Sequence, residues 1–463
     1  MNYRKILLLI TLLSLTLATV TGCADKPLEL KGHTNGGIYA YFALDGKRIV
    51  TSNSRTIRLW DAESGREIQK IEGEFHGIPT SKMFLTGEKL GGGTPFRIRR
   101  WDTETGKEML PALEMPDGWG GMYSPDKTKI AMQSFDDNHK RYAFIWDVES
   151  GRKLQELSEH DYAFSPDSKK IAVKGYDGTR VITRIFDTES GKELQRVDGE
   201  LQWYLKAYRT GACFSPDGRT IATGQDDNTR LWDVHSGREL QRFEGMPRRF
   251  FPDGGKFVTY PARGDTTSRI WDVDSGRELQ KFEGALGEFS PDDKIFVTFI
   301  VETVEVEETE PSETNQHSRV FQRTGYTLLR IWDAVSCREL HEIRAKAYND
   351  SFYFSSDGSK LITYDYNIIQ IWDVKSGKEL HSFEGDTRWP TRERITKVAA
   401  TIADEGIDLG QSILNHLGTT CIWDINSGKK LRQFKGVFCG FSPDEKRVAT
   451  ASEDGTVRIW TLK

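Results

Sequence analysis

The sequence predicts an all-β protein built from one small unit used ten times over, and three observations carry that reading. First, Trp-Asp or a close variant marks ten positions: Trp60, Trp101, Trp146, Phe186, Trp232, Trp271, Trp332, Trp372, Trp423 and Trp460. The intervals between them are 41, 45, 40, 46, 39, 61, 40, 51 and 37 residues, the length of one supersecondary unit. Second, nine of the ten keep the Asp and are followed by one turn, as in Trp232-Asp233-Val234-His235-Ser236-Gly237-Arg238-Glu239-Leu240. Third, no segment sustains a helical period, whereas short β-branched runs such as Thr56-Ile57-Arg58-Leu59 precede the Trp positions.

Within a unit each element has a local cause. The upstream turns Ser215-Pro216-Asp217-Gly218, Phe251-Pro252-Asp253-Gly254 and Ser442-Pro443-Asp444-Glu445 place Pro where its fixed φ suits the second turn position. That turn connects two inner strands. A variable loop follows, then a strand ending in Trp-Asp. Asp and Ser side chains can bond turn amides and Gly tolerates positive φ, so Asp-x-x-Ser-Gly is a second hairpin turn. An outer strand of the type Glu239-Leu240-Gln241-Arg242-Phe243 completes the unit. Four antiparallel strands per unit is the result.

A Trp-Asp repeat of this length resembles the WD40 family of β-propellers over about residues 27–463. The resemblance implies a WD40-type propeller of ten four-stranded, blade-like repeats. It also implies a latch. The chain stops at Trp460-Thr461-Leu462-Lys463, where an outer strand is due, and Pro27 to His33 reads as a lone outer strand. One ring closed by that N-terminal strand is favoured over two smaller rings or fewer regular blades. The family's Gly-His pair occurs once, at Gly32-His33, while Asp454 with Ser452 and Trp460, and Asp227 with Trp232, retain parts of the family's His-Ser-Asp-Trp hydrogen-bond chain.

Two units are stretched. Alternating Val and Glu from Val301 to Glu308, then Val320 to Arg323, predicts two prolonged strands forming a protruding hairpin at about 300–328, its tip near Pro311 to Gln316. In the unit from Gly385 to Trp423, the spacing predicts a long loop before the inner strand, with Ala403-Asp404-Glu405-Gly406 as the inner turn.

The first 22 residues form a separate signal segment, with 23–463 as the propeller. Arg4 and Lys5 precede an apolar run from Ile6 to Thr21 that is short for the ~20 residues of a membrane span. Its end, Leu17-Ala18-Thr19-Val20-Thr21-Gly22-Cys23, resembles the lipobox of bacterial lipoproteins. That resemblance implies acylation of Cys23, a membrane-anchored place in the cell envelope and, in a Gram-negative cell, outer-membrane sorting, because Ala24 rather than Asp follows Cys23. The other cysteines, Cys213, Cys337, Cys421 and Cys439, match no metal spacing and no dense disulfide framework.

Composition narrows function less than it narrows fold. Aromatic residues at 11% and charged residues at 29% describe a folded globular chain. A net charge of −5, more negative once Arg4 and Lys5 are set aside, argues against broad nucleic-acid binding. There is no His-Glu-x-x-His, Gly-x-Ser-x-Gly or phosphate loop, so no metal, catalytic residue or cofactor is implied. The Arg recurring two positions before the Trp (Arg58, Arg99, Arg184, Arg230, Arg269, Arg330 and Arg458) reads as scaffold.

The informative residues are those that break the repeat. Nine of the twelve Trp occupy the repeat position; Trp119, Trp203 and Trp389 do not. These three fall where an outer strand joins the next inner strand, accompanied by Tyr204, Tyr208 and Arg388, and Met246-Pro247-Arg248-Arg249 occupies another join. Trp, Tyr and Arg are enriched at binding hot spots, and loops on a rigid scaffold carry function. The expectation is a non-catalytic scaffold that binds protein partners through this loop face. The competing class is a propeller enzyme of lactonase, lyase or quinoprotein type with its site at the central channel, for which Asp161 and Glu288 are the acidic candidates.

Overall fold

The computed structural model describes residues 26–462, apart from 35–36, 90–95, 116–117, 136–140, 159–160, 202–212, 262–266, 310–317, 348–350, 366–367, 385–396 and 403–417. Every regular element among the described residues is a β-strand. The strands form ten antiparallel sheets, eight of four strands and two of three. In chain order, sheets one to nine span 39–72, 74–115, 118–157, 162–198, 220–244, 246–283, 285–345, 352–384 and 397–435. The tenth combines 437–461 with Leu28–Lys31 from the other end of the chain. There Leu28 pairs with Ile459 and Lys31 with Thr456.

Each sheet is a simple meander, and its two kinds of turn form for the reasons the sequence offers. In Ser-Pro-Asp turns the Ser hydroxyl donates to the Asp carboxylate, as in Ser215 to Asp217 at 2.6 Å and Ser442 to Asp444 at 2.6 Å. In Trp-Asp turns one Asp oxygen accepts both the amide and the hydroxyl of the Ser three residues on. For Asp233 and Ser236 these distances are 2.6 and 2.7 Å, and for Asp272 and Ser275 they are 2.8 and 2.6 Å. The Ser contacts hold both carboxylates below the ordinary range. The following Gly237 sits at φ +70°, a conformation that favours Gly, and the end of the Gln195 side chain from the preceding sheet packs over it.

The core is divided among ten hydrophobic clusters, each bridging two consecutive sheets. Val50, Leu59, Phe84 and Trp101 join sheets one and two, and Met83, Ile98, Ile130 and Phe144 join two and three. The series continues around the chain, with Ile422, Phe434 and Val448 joining nine and ten. Leu30, Ala449 and Ile459 of the tenth sheet pack with Ile49 and Trp60 of the first. First strands lie nearest the centre: Tyr39–Phe42 of sheet one runs close to Val437–Phe441 of sheet ten.

A second recurring bond lies within most of the blades. At seven described positions the Trp indole donates to a Thr hydroxyl on the second strand: Trp60 to Thr51, Trp101 to Thr86, Trp232 to Thr223, Trp271 to Thr259, Trp332 to Thr298, Trp372 to Thr363 and Trp460 to Thr450, at 2.7–3.0 Å. Sequence reading expected Asp and Ser as the indole partners. Trp232 instead bonds Thr223 while Asp227 lies in a positive-φ turn, and Asp454 pairs with Arg458 at 2.6 Å.

The long units also have defined places. Ile295–Thr309 and Ser318–Asp333 pair along their whole length, out to Thr309 opposite Ser318. In the ninth sheet Lys397 pairs with Asp424 and Ile402 with Thr419, so Lys397–Ile402 is the second strand. The Ala403-Asp404-Glu405-Gly406 turn expected from the sequence lies outside the described residues.

Candidate partner-binding face

Antiparallel meanders sort the connections onto opposite ends of the molecule. Turns between first and second strands, and between third and fourth, fall at one end. Loops between second and third strands, and joins to the next sheet, fall at the other. The first end is regular and internally satisfied. The second carries the variation.

Regular basic residues are tied down inside the blades. Arg99 bonds Glu108 at 2.8 and 2.5 Å, Arg184 bonds Glu193 at 2.9 Å, and Arg330 bonds Glu342 at 3.0 Å. Arg58 pairs with Glu67, and Arg269 lies 3.4 Å from Glu278. These Glu stand on the outer strand opposite, so the repeated Arg is one half of a cross-strand pair. Arg100, which replaces the usual apolar residue before Trp101, is fully buried. Its guanidinium donates to the carbonyls of Val148, Glu149, Ser150 and Pro111, clamping sheet two to the next Trp-Asp turn. An Arg in the Leu59 and Leu231 position was the signal for it.

At the variable end, several joins are a single residue long. Gly245 at φ +94° and Gly284 at φ +89° turn the chain directly from an outer strand into the next inner strand. This relocates two expected loop residues. Arg248 and Arg249 lie on the innermost strand Met246–Phe250, where the register shifts between Pro247 and Arg249 and leaves Arg248 as the extra residue. Arg248 is buried, its guanidinium 4.7 Å from the Tyr260 ring centre, and Arg249 lies 4.7 Å over Phe289. Trp119 likewise belongs to the innermost strand Gly118–Tyr123, opposite Gln133. Trp203, Tyr204, Tyr208, Arg388 and Trp389 lie outside the described residues, as does Cys23.

What the structure adds at this end is mostly on or beside the first two sheets. Tyr39 and Tyr41 on the innermost strand of sheet one are exposed, and Tyr41 stacks on Phe75 of sheet two with ring centres 4.5 Å apart. Burial of its hydroxyl pushes the Tyr41 pKa up to about 12. The alternation in Tyr39-Ala40-Tyr41-Phe42 was the available sign of this aromatic patch.

Behind it runs a hydrogen-bond chain. Trp60 donates to Thr51, whose oxygen is 2.7 Å from His33 Nε2, and His33 Nδ1 is 3.2 Å from Thr56. Thr56 then donates to Asn53. Burial and the Arg58 charge lower the His33 pKa to about 4. His33 is therefore neutral at pH 7, and a proton on Nδ1 lets the chain run donor to acceptor throughout.

Other polar groups at this end are paired. Burial would lower the Lys174 pKa, but the 2.6 Å bond to Glu200 and the charges of Glu200, Tyr176 and Asp161 together raise it. Arg344 binds Glu302 at 2.7 Å beneath the long hairpin and lies 4.8 Å from the Tyr326 ring centre. The acidic channel candidates are separated in the chain fold: Asp161 is buried just ahead of the innermost strand Tyr162–Phe164, and Glu288 lies on Ala285–Phe289. Among the described residues no three His, Cys, Asp or Glu side chains gather as a metal site requires, and no helix is long and apolar enough to cross a membrane.

Comparison with known proteins agrees with this geometry. The family model described as "WD domain, G-beta repeat" matches residues 24–61, 205–233 and 428–461. The fold is a WD40-type β-propeller. Among curated proteins, the propeller is 25% identical over 172 residues to the serine-threonine kinase receptor-associated protein of Mus musculus, and 24% identical over 172 residues to that of Homo sapiens. Each match covers 36% of this chain and 47% of the relative, so the chain spans about half the length of the curated relatives it matches. A solved structure described as a eukaryotic initiation factor superposes with a TM-score of 0.51 at 12% identity, covering 87% of this chain and 97% of the other. That likeness concerns the fold alone.

Proposed function

We propose that this protein is a lipid-anchored propeller of the bacterial cell envelope that binds protein partners, without catalysis, through the face carrying its joins and long loops. The observation that carries the reading is the division of labour between the two ends. At the turn end, Asp, Ser and Arg side chains are spent on hydrogen bonds within and between blades. The sequence assigns Trp203, Tyr204, Tyr208, Arg388 and Trp389 to joins, and an antiparallel meander turns its joins to the other end, while Trp119, Arg248 and Arg249 stand on innermost strands. WD40 propellers generally bind protein partners, and the matched relatives are named for association with a receptor. Acylated Cys23 would supply the membrane attachment, on the periplasmic side of the outer membrane in a Gram-negative cell.

The same reading takes the ten sheets as blades of one ring, supported by the cluster that joins the tenth sheet to the first. The test compares partners captured by the intact protein and by a variant with Trp203, Tyr204, Arg388 and Trp389 changed to Ala. Specific loss of partners from the variant is expected, and identical sets would sink the loop-face assignment. Separately, Cys23→Ser should abolish acyl-chain labelling and release the protein from membranes. Unchanged fractionation would remove the anchor from the proposal.

A further inference from the structure

The joint between the third and fourth sheets is filled differently from the others. By register, Val173 stands where Thr51, Thr223 and Thr363 stand in their blades, and Phe186 stands in the Trp position. Ring nitrogen and hydroxyl are lost together. The outer-strand residue here is Leu157; at four other joints it is Phe243, Phe282, Phe383 or Phe434, and elsewhere it is aliphatic, as with Ile71, Leu113, Val197 and Ile343, so the loss of Trp and Thr is what distinguishes this joint. An open cavity of about 180 Å³ lies at this place, lined by Leu157, Val173 and Phe186 together with Tyr142, Glu156, Ser158 and Arg184.

We propose that this cavity binds a small, neutral, planar aromatic molecule with one N–H or O–H donor, of the size and kind of indole. An apolar cavity of about 150 Å³ accommodates benzene, so this one has room for a fused bicyclic ring. Leu157, Val173 and Phe186 form an apolar side, and Tyr142, Glu156, Ser158 and Arg184 form a polar one, where Glu156 also accepts from Lys153 at 2.8 Å. The positive charge in the lining is already matched, since Arg184 bonds Glu193 at 2.9 Å and lies 4.9 Å from the centre of the Phe186 ring. That arrangement gives a ligand carboxylate no advantage. Other joints supply the precedent, because there an indole of the chain itself stands where the smaller Phe186 stands here.

The experiment titrates the purified full-length protein with indole, naphthalene and indole-3-acetate, followed by saturation-transfer NMR and thermal shift. Two variants remove the space: Phe186→Trp with Val173→Thr, which rebuilds the missing pair, and Leu157→Phe, which fills it from the opposite wall. Indole is expected to bind the parent with a dissociation constant of roughly 1 mM or below, given its few atoms. Each filled variant should weaken it at least tenfold, and the anionic and donor-free probes should bind the parent more weakly. Failure of indole to bind up to its solubility limit would overturn the proposal, as would a loss of affinity smaller than tenfold in the filled variants. Equal binding of indole-3-acetate would overturn the neutral class. Should the double variant not fold, Leu157→Phe decides the outcome.

Discussion

The joint between sheets six and seven and the joint between sheets three and four are built on the same plan from different material. In the first, Trp332 stacks on Phe296 with ring centres 5.9 Å apart, lies 6.0 Å from Phe282, and donates its indole N–H to Thr298 at 2.9 Å. In the second, Phe186 meets Leu157 and Val173, no indole bond is formed, and a cavity remains. The difference teaches that the blades are held pairwise. A repeat array is stabilised by neighbour-to-neighbour terms, so one thinly filled joint is tolerated while its neighbours stay dense.

That comparison can be broken most directly by truncation. Trp332→Ala should cost about 3–5 kcal/mol, while Phe186→Ala, beside space already empty, should cost at or below the lower end of that range. Urea unfolding of the two variants measures it, and equal losses would contradict the pairwise picture. A third joint, between sheets ten and one, adds a pH term. His33 is bonded as the neutral imidazole, so its folded-state pKa of about 4 lies below the unfolded value of 6.5. Its contribution is complete above pH 6.5 and is lost as the pH falls towards 4, by about 2–3 kcal/mol in all. His33→Ala should flatten the stability profile in that window and leave the slope elsewhere alone.

Smaller changes sharpen the contrast. Thr298→Val strands a buried indole N–H and should cost about 1–3 kcal/mol. Installing Val173→Thr together with Phe186→Trp should be better than the sum of the single changes by about 0.5–3 kcal/mol, because each supplies the other's partner. Last, among the described residues Trp146 has no acceptor for its indole N–H, since Met132 occupies the Thr position. Trp146→Phe should therefore be milder than Trp332→Phe by about 1 kcal/mol, the net worth of one hydrogen bond.

The blade was readable because its turns obey local rules. Pro, Asp, Ser and Gly fix their backbone within a few residues, and the Trp positions count the units. The Thr partners of the indoles were harder to see. Thr51, Thr223 and Thr363 each precede their Trp by nine residues, but Thr259, Thr86 and Thr298 do so by 12, 15 and 34. A loop of free length separates the two strands, so register keeps the contact while sequence spacing loses it. Arg248 misled for the opposite reason. The loop it was assigned to is one Gly long, and the strand starts at Met246. Residues whose roles depend on a partner's surface, such as those near Trp203 and Trp389, have no internal rule to reveal them.

The pairing of Leu28 with Ile459 and of Lys31 with Thr456 also sets how the molecule would bear a mechanical load. The strand Leu28–Lys31 enters beside the point where Thr456–Thr461 leaves. Tension applied through the two flanking segments would act across the strands, breaking their backbone bonds in succession rather than shearing them all at once. The first event under force would be the peeling of a four-residue strand that takes Leu30 out of its cluster with Ile49 and Trp60. The seam is thus the soft axis of the molecule, while the interior strands of the other sheets would share any load in parallel.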